Sequence, residues 1–280
     1  MSSIRATSRK NRVFVFRDFI RQTYPYLSPD AVILDVAGGK GDLSWLLTNV
    51  DGWQSIVVDP RPTSDSHWKK RIDFLREHPE EAKERAIPGR PTYQPLAALL
   101  EDLPSDLRKP RHLQLWVDDK LVEALRATLV EGVDEAWVQY WDEHVISKAS
   151  AEDCTRDAAQ ALSLFQECQL LVGFHPDQAL DAIIELAQDV LHIPYCVVPC
   201  CVFPALFPHR RQPDGSRVRT YDQLVAYYER QSACLRAQLA FDQRETQAAR
   251  DVVLYTTSYC QPIERIVNDE NTNRDTNAPT

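Results

Sequence analysis

The stretch VILDVAGGKGDLSWLL, residues 32–47, joins an apolar run to a glycine-rich turn and then to a helical pattern. An apolar run of this length is typical of a strand buried on both faces of a parallel sheet. The turn after it matches neither common phosphate-binding loop. A P-loop needs Ser or Thr after its Gly-Lys pair, whereas Gly41 follows Lys40 here. The dinucleotide fingerprint has a third glycine where this chain has Ser44.

The start of the predicted helix also disfavours phosphate. Asp42 lies at that start, and its charge would repel a pyrophosphate held at the helix amino terminus. A ligand with a nucleoside but without phosphate remains, and S-adenosylmethionine is the common one. The strand SIVVDP, 55–60, completes a βαβ unit. Its Asp59 follows Gly41 at about the spacing of an acid that accepts hydrogen bonds from ribose hydroxyls.

The rest of the chain continues the alternation of strands and helices. The further segments are the strand HLQLWV (112–117), the helical pattern KLVEALRATLVEGVDEAWVQYW (120–141), the strand, turn and helix of CQLLVGFHPDQALDAIIELAQ (168–188), the strand PYCVVPCCVF (194–203), the helix TYDQLVAYYERQ (220–231), and the antiparallel pair LRAQLAF (235–241) and DVVLYTTSY (251–259). This pattern predicts an α/β fold with a doubly wound, mostly parallel sheet and an antiparallel terminal strand pair. Ligands of such sheets bind at the carboxyl ends of the strands.

Three parts of the chain are expected. They are an N-terminal helical segment at 1–30, a main domain at 31–267 with an inserted helical region at about 64–160, and a disordered tail at 268–280. Its first part, from 64 to about 111, is charged and punctuated by proline, which predicts an inserted helix and loop over the sheet edge. The polar tail has too little apolar content to pack.

Composition indicates a globular protein, with 44% hydrophobic residues and a net charge of −9 that argues against nonspecific coating of nucleic acid. Prolines interrupt the longest apolar stretch, 190–207, so no membrane span is predicted. Seven cysteines without a CxxC pair favour reduced thiols inside a cell. The expected location is the cytoplasm or nucleus. Basic residues ahead of Asp18 leave a mitochondrial presequence as the alternative to a helix with a basic face.

Two pairs of motifs carry a family resemblance. VILDVAGGKGDLS with IVVDPRP resembles motif I and the following acidic motif of class I S-adenosylmethionine-dependent methyltransferases, with a Rossmann-like sheet. LLVGFHPDQALDAII with YCVVPCCVFPALFPHR resembles a branch of that family with Gly-Leu/Phe-His and Val-Pro-Cys-Cys segments, which includes a eukaryotic tRNA 2′-O-methyltransferase. The resemblance covers most of residues 10–260, except 64–160.

The resemblance implies a set of cofactor contacts. Asp35, Ala37, Gly39 and Gly41 would surround the methionine part of S-adenosylmethionine, and Asp59 would bind its ribose. Small residues let the backbone approach a ligand, and a carboxylate accepts two hydroxyl protons at once.

The resemblance also places His175 and Asp177 where relatives orient an acceptor or take its proton. The alternatives are that Asp177 caps its helix and that His175 forms hydrogen bonds within a tight turn.

Three interpretations of the adjacent Cys200 and Cys201 stay open. They are buried packing, metal ligation with His175 or His209, and, for Cys200, nucleophilic attack on a pyrimidine ring. Neighbouring residues of a strand point to opposite faces, so at most one of these cysteines is expected to face the cleft. The spacing supplies no second ligand pair, and therefore no metal site is assigned.

The loop PHRRQPDGSRVR, 208–219, places a basic patch after the predicted fifth strand. Arg210 and Arg211 are the expected contacts to a phosphate-bearing acceptor such as RNA, and a solvated loop is the alternative. The expected function is an S-adenosylmethionine-dependent methyltransferase acting on RNA of the tRNA type. The alternatives are a protein methyltransferase and a binding or assembly factor that keeps the fold without catalysis.

Overall fold

The computed structural model describes residues 12–64, 66–78, 103–104, 106–145, 157–239 and 250–258. Its strands are β1 (Val32–Val36), β2 (Gln54–Val58), β3 (Arg111–Leu113), β4 (Cys168–Phe174), β5 (Tyr195–Val198), β6 (Leu235–Gln238) and β7 (Val252–Tyr255). Its α-helices are α1 (Arg12–Thr23), α2 (Asp42–Asn49), α3 (Ser66–Glu77), α4 (Asp119–Leu129), α5 (Asp134–His144), α6 (Ala158–Gln166), α7 (Leu180–Glu185) and α8 (Tyr221–Gln231). A 3₁₀ turn, Asp177–Ala179, precedes α7, and a π-helical segment, Leu186–Leu191, follows it.

The seven strands form one sheet in the order β3-β2-β1-β4-β5-β7-β6. β1 to β5 are parallel, and β7 runs antiparallel to both of its neighbours. The predicted mostly parallel α/β sheet and the antiparallel pairing of the last two strands are therefore confirmed. The strand order reverses between β1 and β4, which is the switch point where such sheets open a crevice at their carboxyl edge.

Hydrophobic residues cover both faces of the sheet. In β1, Val32, Leu34 and Val36 belong to one core cluster with α4 to α8, whereas Ile33 belongs to the other with α1, α2 and α3. This alternation turns the side chain of Asp35 toward the α2 side. Burial on both faces explains why β1 is apolar apart from Asp35.

Part of the predicted insertion belongs to the central fold. β3 pairs with β2, and α4 and α5 contribute buried residues to the sheet's larger core cluster, so the predicted boundary near 160 is wrong for these elements. The single helical pattern over 120–141 is two helices, because Gly132 adopts φ 76° between them, a left-handed conformation that ends helices. The predicted strands 112–117 and 194–203 are also shorter, and Pro199, which has no N–H to donate, follows β5.

Within the predicted N-terminal segment, the structure has α1, whose Val13, Phe14 and Phe16 are buried. Residues 1–11 and the predicted disordered tail at 268–280 lie outside the described residues. Within the described part of the chain, no helix combines the length and apolar character needed to cross a bilayer.

Candidate active site at the carboxyl edge of the sheet

The turn between β1 and α2 has a left-handed backbone at three positions. Ala37, Gly39 and Gly41 adopt φ values of 54°, 58° and 84°. The Gly41 amide donates to the Gly38 carbonyl at 2.9 Å, which closes the turn directly before α2. A β-carbon on Gly38 would lie 2.6 Å from Asp35 Oδ2, whereas one on Gly39 would meet, among the described residues, Arg61 Nη2 alone, at 3.7 Å. The lack of a side chain at Gly38 therefore lets the turn lie directly on Asp35. Gly39 faces open space within the described part of the chain.

Asp35 lies beneath this turn and is fully buried. Its Oδ2 accepts hydrogen bonds from the Ser44 amide at 3.2 Å and the Ser44 hydroxyl at 2.9 Å. Its Oδ1 is buried and has no hydrogen-bond partner among the described residues. Burial raises the pKa of this carboxyl to about 7, although the hydrogen bonds from Ser44 oppose the rise.

Asp59 joins the turn to the end of β2. Its Oδ2 accepts a hydrogen bond from the Gly39 amide at 2.9 Å, which brings the two predicted cofactor contacts together. Arg61 donates its amide and Nε to Oδ1 and its Nη2 to Oδ2, at 2.8, 3.0 and 3.0 Å. Burial would raise the pKa of Asp59, but the bonds from Arg61 and Gly39 outweigh it and lower the pKa.

No sequence motif predicts a role for Arg61, although it lies two residues after Asp59, the acid that is predicted to bind the cofactor's ribose. Its side chain is 70% exposed while the carboxylate that it holds is buried. The hydrogen bonds to Asp59, the charge of Asp59 and the more distant charge of Asp177 raise the pKa of Arg61. The guanidinium therefore lies within electrostatic range of both sides of the crevice, at the ends of β2 and β4.

His175 and Asp177 stand in a strained turn after β4, with φ values of 59° and 47°. Non-glycine residues rarely adopt this conformation, and it concentrates at functional sites. The His175 Nδ1 atom is buried and has no hydrogen-bond partner among the described residues. Burial lowers the pKa of His175 to about 4, and the cationic Arg12 and Arg250 lower it further, against the opposing effect of Asp177. The imidazole is therefore neutral at pH 7.

The two alternatives for this turn are not realised in the described structure. Pro176, rather than Asp177, is the residue before the 3₁₀ turn, and no side chain caps it. The backbone amide of His175 donates across to the Val198 carbonyl of β5 at 3.1 Å, and its Nδ1 makes no hydrogen bond with the described residues. Asp177 Oδ1 instead accepts a hydrogen bond from Cys200 Sγ at 2.9 Å.

Cys200 and Cys201 both approach Asp177, so the expectation that at most one could face the cleft is wrong. One ligand-type atom from each of the three residues lies within 4.8 Å of the others. Strand alternation does not apply, because β5 ends at Val198. Burial and the neighbouring Asp177 raise the pKa of Cys200 far above its usual value. This disfavours the thiolate form that would have to attack a pyrimidine ring.

The basic loop divides into a buried and an exposed arginine. Arg210 is 1% exposed and donates Nε and Nη2 to Asp181 Oδ2, at 3.1 and 2.9 Å. Its Nη1 donates to the Val202 carbonyl at 3.0 Å, and its guanidinium lies 3.6 Å from the Phe207 ring centre. The assignment of Arg210 to substrate phosphate is therefore wrong, because its donors are used inside the protein. Arg211 is exposed.

The residues predicted to bind the cofactor, together with His175, Asp177 and Cys200, thus lie at or just beyond the carboxyl ends of β1, β2, β4 and β5. The edge also includes Arg61 and Arg250, and the Nη1 of Arg250 lies 3.3 Å from Cys201 Sγ. Arg250 stands shortly before β7 and is distant in sequence from the cysteines, so no local motif reveals it. No protein-family profile, curated protein or solved structure matches this chain.

Proposed function

We propose that this chain is an S-adenosylmethionine-dependent methyltransferase whose cofactor lies over the carboxyl ends of β1 and β2. The observation that carries the proposal is the 2.9 Å hydrogen bond from the Gly39 amide to Asp59. It joins a left-handed glycine turn to an acid in the next strand, at the edge where doubly wound sheets bind nucleosides. The insertion of antiparallel β7 before β6 separates this sheet from the dinucleotide-binding order 3-2-1-4-5-6.

The residues present suit this cofactor better than a dinucleotide. Asp42 at the start of α2 disfavours a pyrophosphate there, and Lys40 and Arg61 balance the charges of Asp42 and Asp59. The unpartnered Oδ1 of Asp35 is an available acceptor beneath the turn, and Gly39 leaves open space above it. When bound, the cofactor supplies a methyl group activated by its positive sulfur.

On the acceptor side, the neutral His175 and the adjacent Asp177 would orient the group that receives the methyl. The buried Nδ1 lone pair of His175 is available to a donor entering the crevice. The protonated state of Cys200 favours direct transfer to an oxygen or nitrogen acceptor over attack on a pyrimidine ring.

We propose RNA as the methyl acceptor, and we expect the exposed arginines of the loop, without Arg210, to bind its phosphates. Arg211 pairs with Arg217 in a β-bridge, and Arg217 and Arg219 are also exposed. The test is calorimetric titration with S-adenosylmethionine followed by transfer of labelled methyl groups to total RNA and, separately, to total protein. Label in protein alone would replace RNA with a protein acceptor. Cofactor binding without transfer to either acceptor would favour the binding-factor alternative, and absence of cofactor binding would overturn the proposal.

We expect Asp59 and Arg61 to affect cofactor affinity in opposite directions. Asp59→Ala should weaken binding by about 1 to 3 kcal/mol, because charge-assisted hydrogen bonds to the ribose are lost. Arg61→Gln should strengthen binding, because the arginine already occupies both carboxylate oxygens. Calorimetric titration measures both dissociation constants.

The double variant distinguishes competition from an unrelated effect of Arg61. If Arg61 acts only by occupying Asp59, Arg61→Gln should change nothing once Asp59 is alanine. An Arg61→Gln protein that binds the cofactor more weakly than the parent would instead mean that Arg61 contacts the ligand.

Gly39→Ala should separate cofactor binding from stability. A β-carbon at Gly39 meets no close neighbour, so the cost to folding is only the left-handed backbone, about 1 kcal/mol. The same β-carbon would enter the space over the turn and reduce cofactor affinity by at least about tenfold, or 1.4 kcal/mol.

Gly52→Ala is the matched control for Gly39→Ala. Gly52 has φ 78°, and a β-carbon there would meet no atom of the described residues within 4 Å, yet this glycine lies before β2, at the opposite end of that strand from Asp59. The control variant should lose similar stability in urea unfolding and retain the parent's affinity. Equal affinity in the two variants would exclude contact between Gly39 and the cofactor.

A further inference from the structure

The loop after β5 brings three potential metal ligands together on one side of the crevice. The sulfurs of Cys200 and Cys201 and a carboxylate oxygen of Asp177 all lie within 4.8 Å of one another. The two cysteines are neighbours in sequence, but Pro199 ends the strand before them, and Phe203 adopts φ 46° shortly after. This irregular backbone directs both sulfurs to the same carboxylate.

The spacing of these atoms suits a tetrahedral ion after a small adjustment. Zinc bonds of about 2.3 Å to sulfur and about 2.0 to 2.2 Å to oxygen imply ligand atoms about 3.5 to 3.8 Å apart. Cys200 Sγ and Asp177 Oδ1 are 2.9 Å apart in a hydrogen bond, so they need only separate by about 0.6 to 0.9 Å. Asp177 is exposed and lies beyond the end of β4, and therefore its side chain can make that movement.

The charges around the cluster also suit a bound cation with anionic ligands. Two thiolates and one carboxylate around a divalent ion leave a net charge of −1. Arg250 supplies the compensating positive charge, because its Nη1 lies 3.3 Å from Cys201 Sγ. Such a donor to a ligating sulfur is the outer-shell contact that orients metal ligands in proteins.

We propose that Asp177, Cys200 and Cys201 bind one thiophilic divalent metal ion of the zinc class. Thiolate and carboxylate ligands are those that zinc accepts, and three protein ligands leave the fourth position open, as in catalytic zinc sites. Asp177 belongs to the same strained turn as His175, whose buried Nδ1 has no partner among the described residues. Binding replaces the two thiol protons, which pass to solvent. The site is independent of S-adenosylmethionine and is tested without it.

The test is zinc titration of the reduced, metal-stripped full chain in competition with a chromophoric chelator. One equivalent should bind tightly, and cobalt in its place should give the visible absorption of a tetrahedral thiolate site. Cys200→Ser and Cys201→Ser should each abolish tight binding, and Asp177→Asn should weaken it by about tenfold or more. Cys234→Ser is the matched control, because Cys234 is partly buried elsewhere, and it should bind zinc like the parent.

A second measurement on the parent protein avoids variants that fail to fold. Saturating zinc should slow alkylation of Cys200 and Cys201, measured by peptide mass spectrometry, and leave Cys234 unchanged. The proposal is overturned if no stoichiometric zinc binds the parent, or if zinc leaves the alkylation of both cysteines unchanged. Folded variants of Cys200, Cys201 and Asp177 that all bind zinc like the parent would also overturn it.

Discussion

Arg210→Ala should destabilise the fold by about 3 to 5 kcal/mol, the cost of breaking a buried ion pair. The substitution leaves Asp181, whose side chain is only 19% exposed, without its two guanidinium hydrogen bonds. It also removes the guanidinium from the Phe207 ring and from the Val202 carbonyl. Tyr228 and His209 still donate to Asp181, but neither replaces a buried positive charge. Urea unfolding of the parent and the variant measures the loss.

Arg211→Ala is the control that the neighbouring residue offers. Arg211 is exposed and makes a hydrogen bond to the Gly215 carbonyl at 3.1 Å, so its loss should change stability by no more than about 0.5 kcal/mol. If the loop binds RNA, Arg211→Ala should weaken that binding and reduce its salt dependence. Equal stability of the two variants would contradict the structural role of Arg210.

The contrast between these two arginines marks a limit of prediction from sequence. Both carry the same charge in the same motif, and nothing local separates them. What buries Arg210 is Asp181, 29 residues earlier in the chain, together with the turn of the loop onto α7. A charge pattern indicates which residues are basic, but only long-range packing decides which of them face solvent.

The proposed cofactor side is more predictable because its geometry is local. β1, the glycine turn and β2 follow from apolar periodicity, and a parallel pair places Gly39 and Asp59 at one edge. Arg61 escaped prediction because its contact with Asp59 depends on side-chain direction rather than on pattern. The convergence of Cys200 and Cys201 is not predictable for a different reason. Side chains alternate between faces only within a strand, and both cysteines lie beyond the end of β5.

Asp35→Asn should remove a pH dependence of stability that the parent shows between about pH 4 and pH 7. The pKa of Asp35 is 3.8 in its ordinary state and about 7 in the fold, where burial disfavours the charge. The folded protein therefore holds a proton that the unfolded chain has released, and stability falls as pH rises through this range. At about 1.4 kcal/mol per pH unit, the full loss is up to about 4 kcal/mol. The difference in unfolding free energy between variant and parent should widen by that amount from pH 4 to pH 8.

Asp59→Asn gives the opposite sign and so serves as the control for Asp35→Asn. Hydrogen bonds from Arg61 and Gly39 lower the pKa of Asp59 despite burial. Its contribution to stability is present above the ordinary pKa of a carboxyl and is lost as pH falls through the lowered value. Asp59→Asn should therefore cost most stability at neutral pH, where Asp35→Asn gains most. A gap between parent and Asp35→Asn that stays constant from pH 4 to pH 8 would mean that the buried carboxyl titrates normally. The carboxyl would then have to reach solvent or a hydrogen-bond partner through the turn.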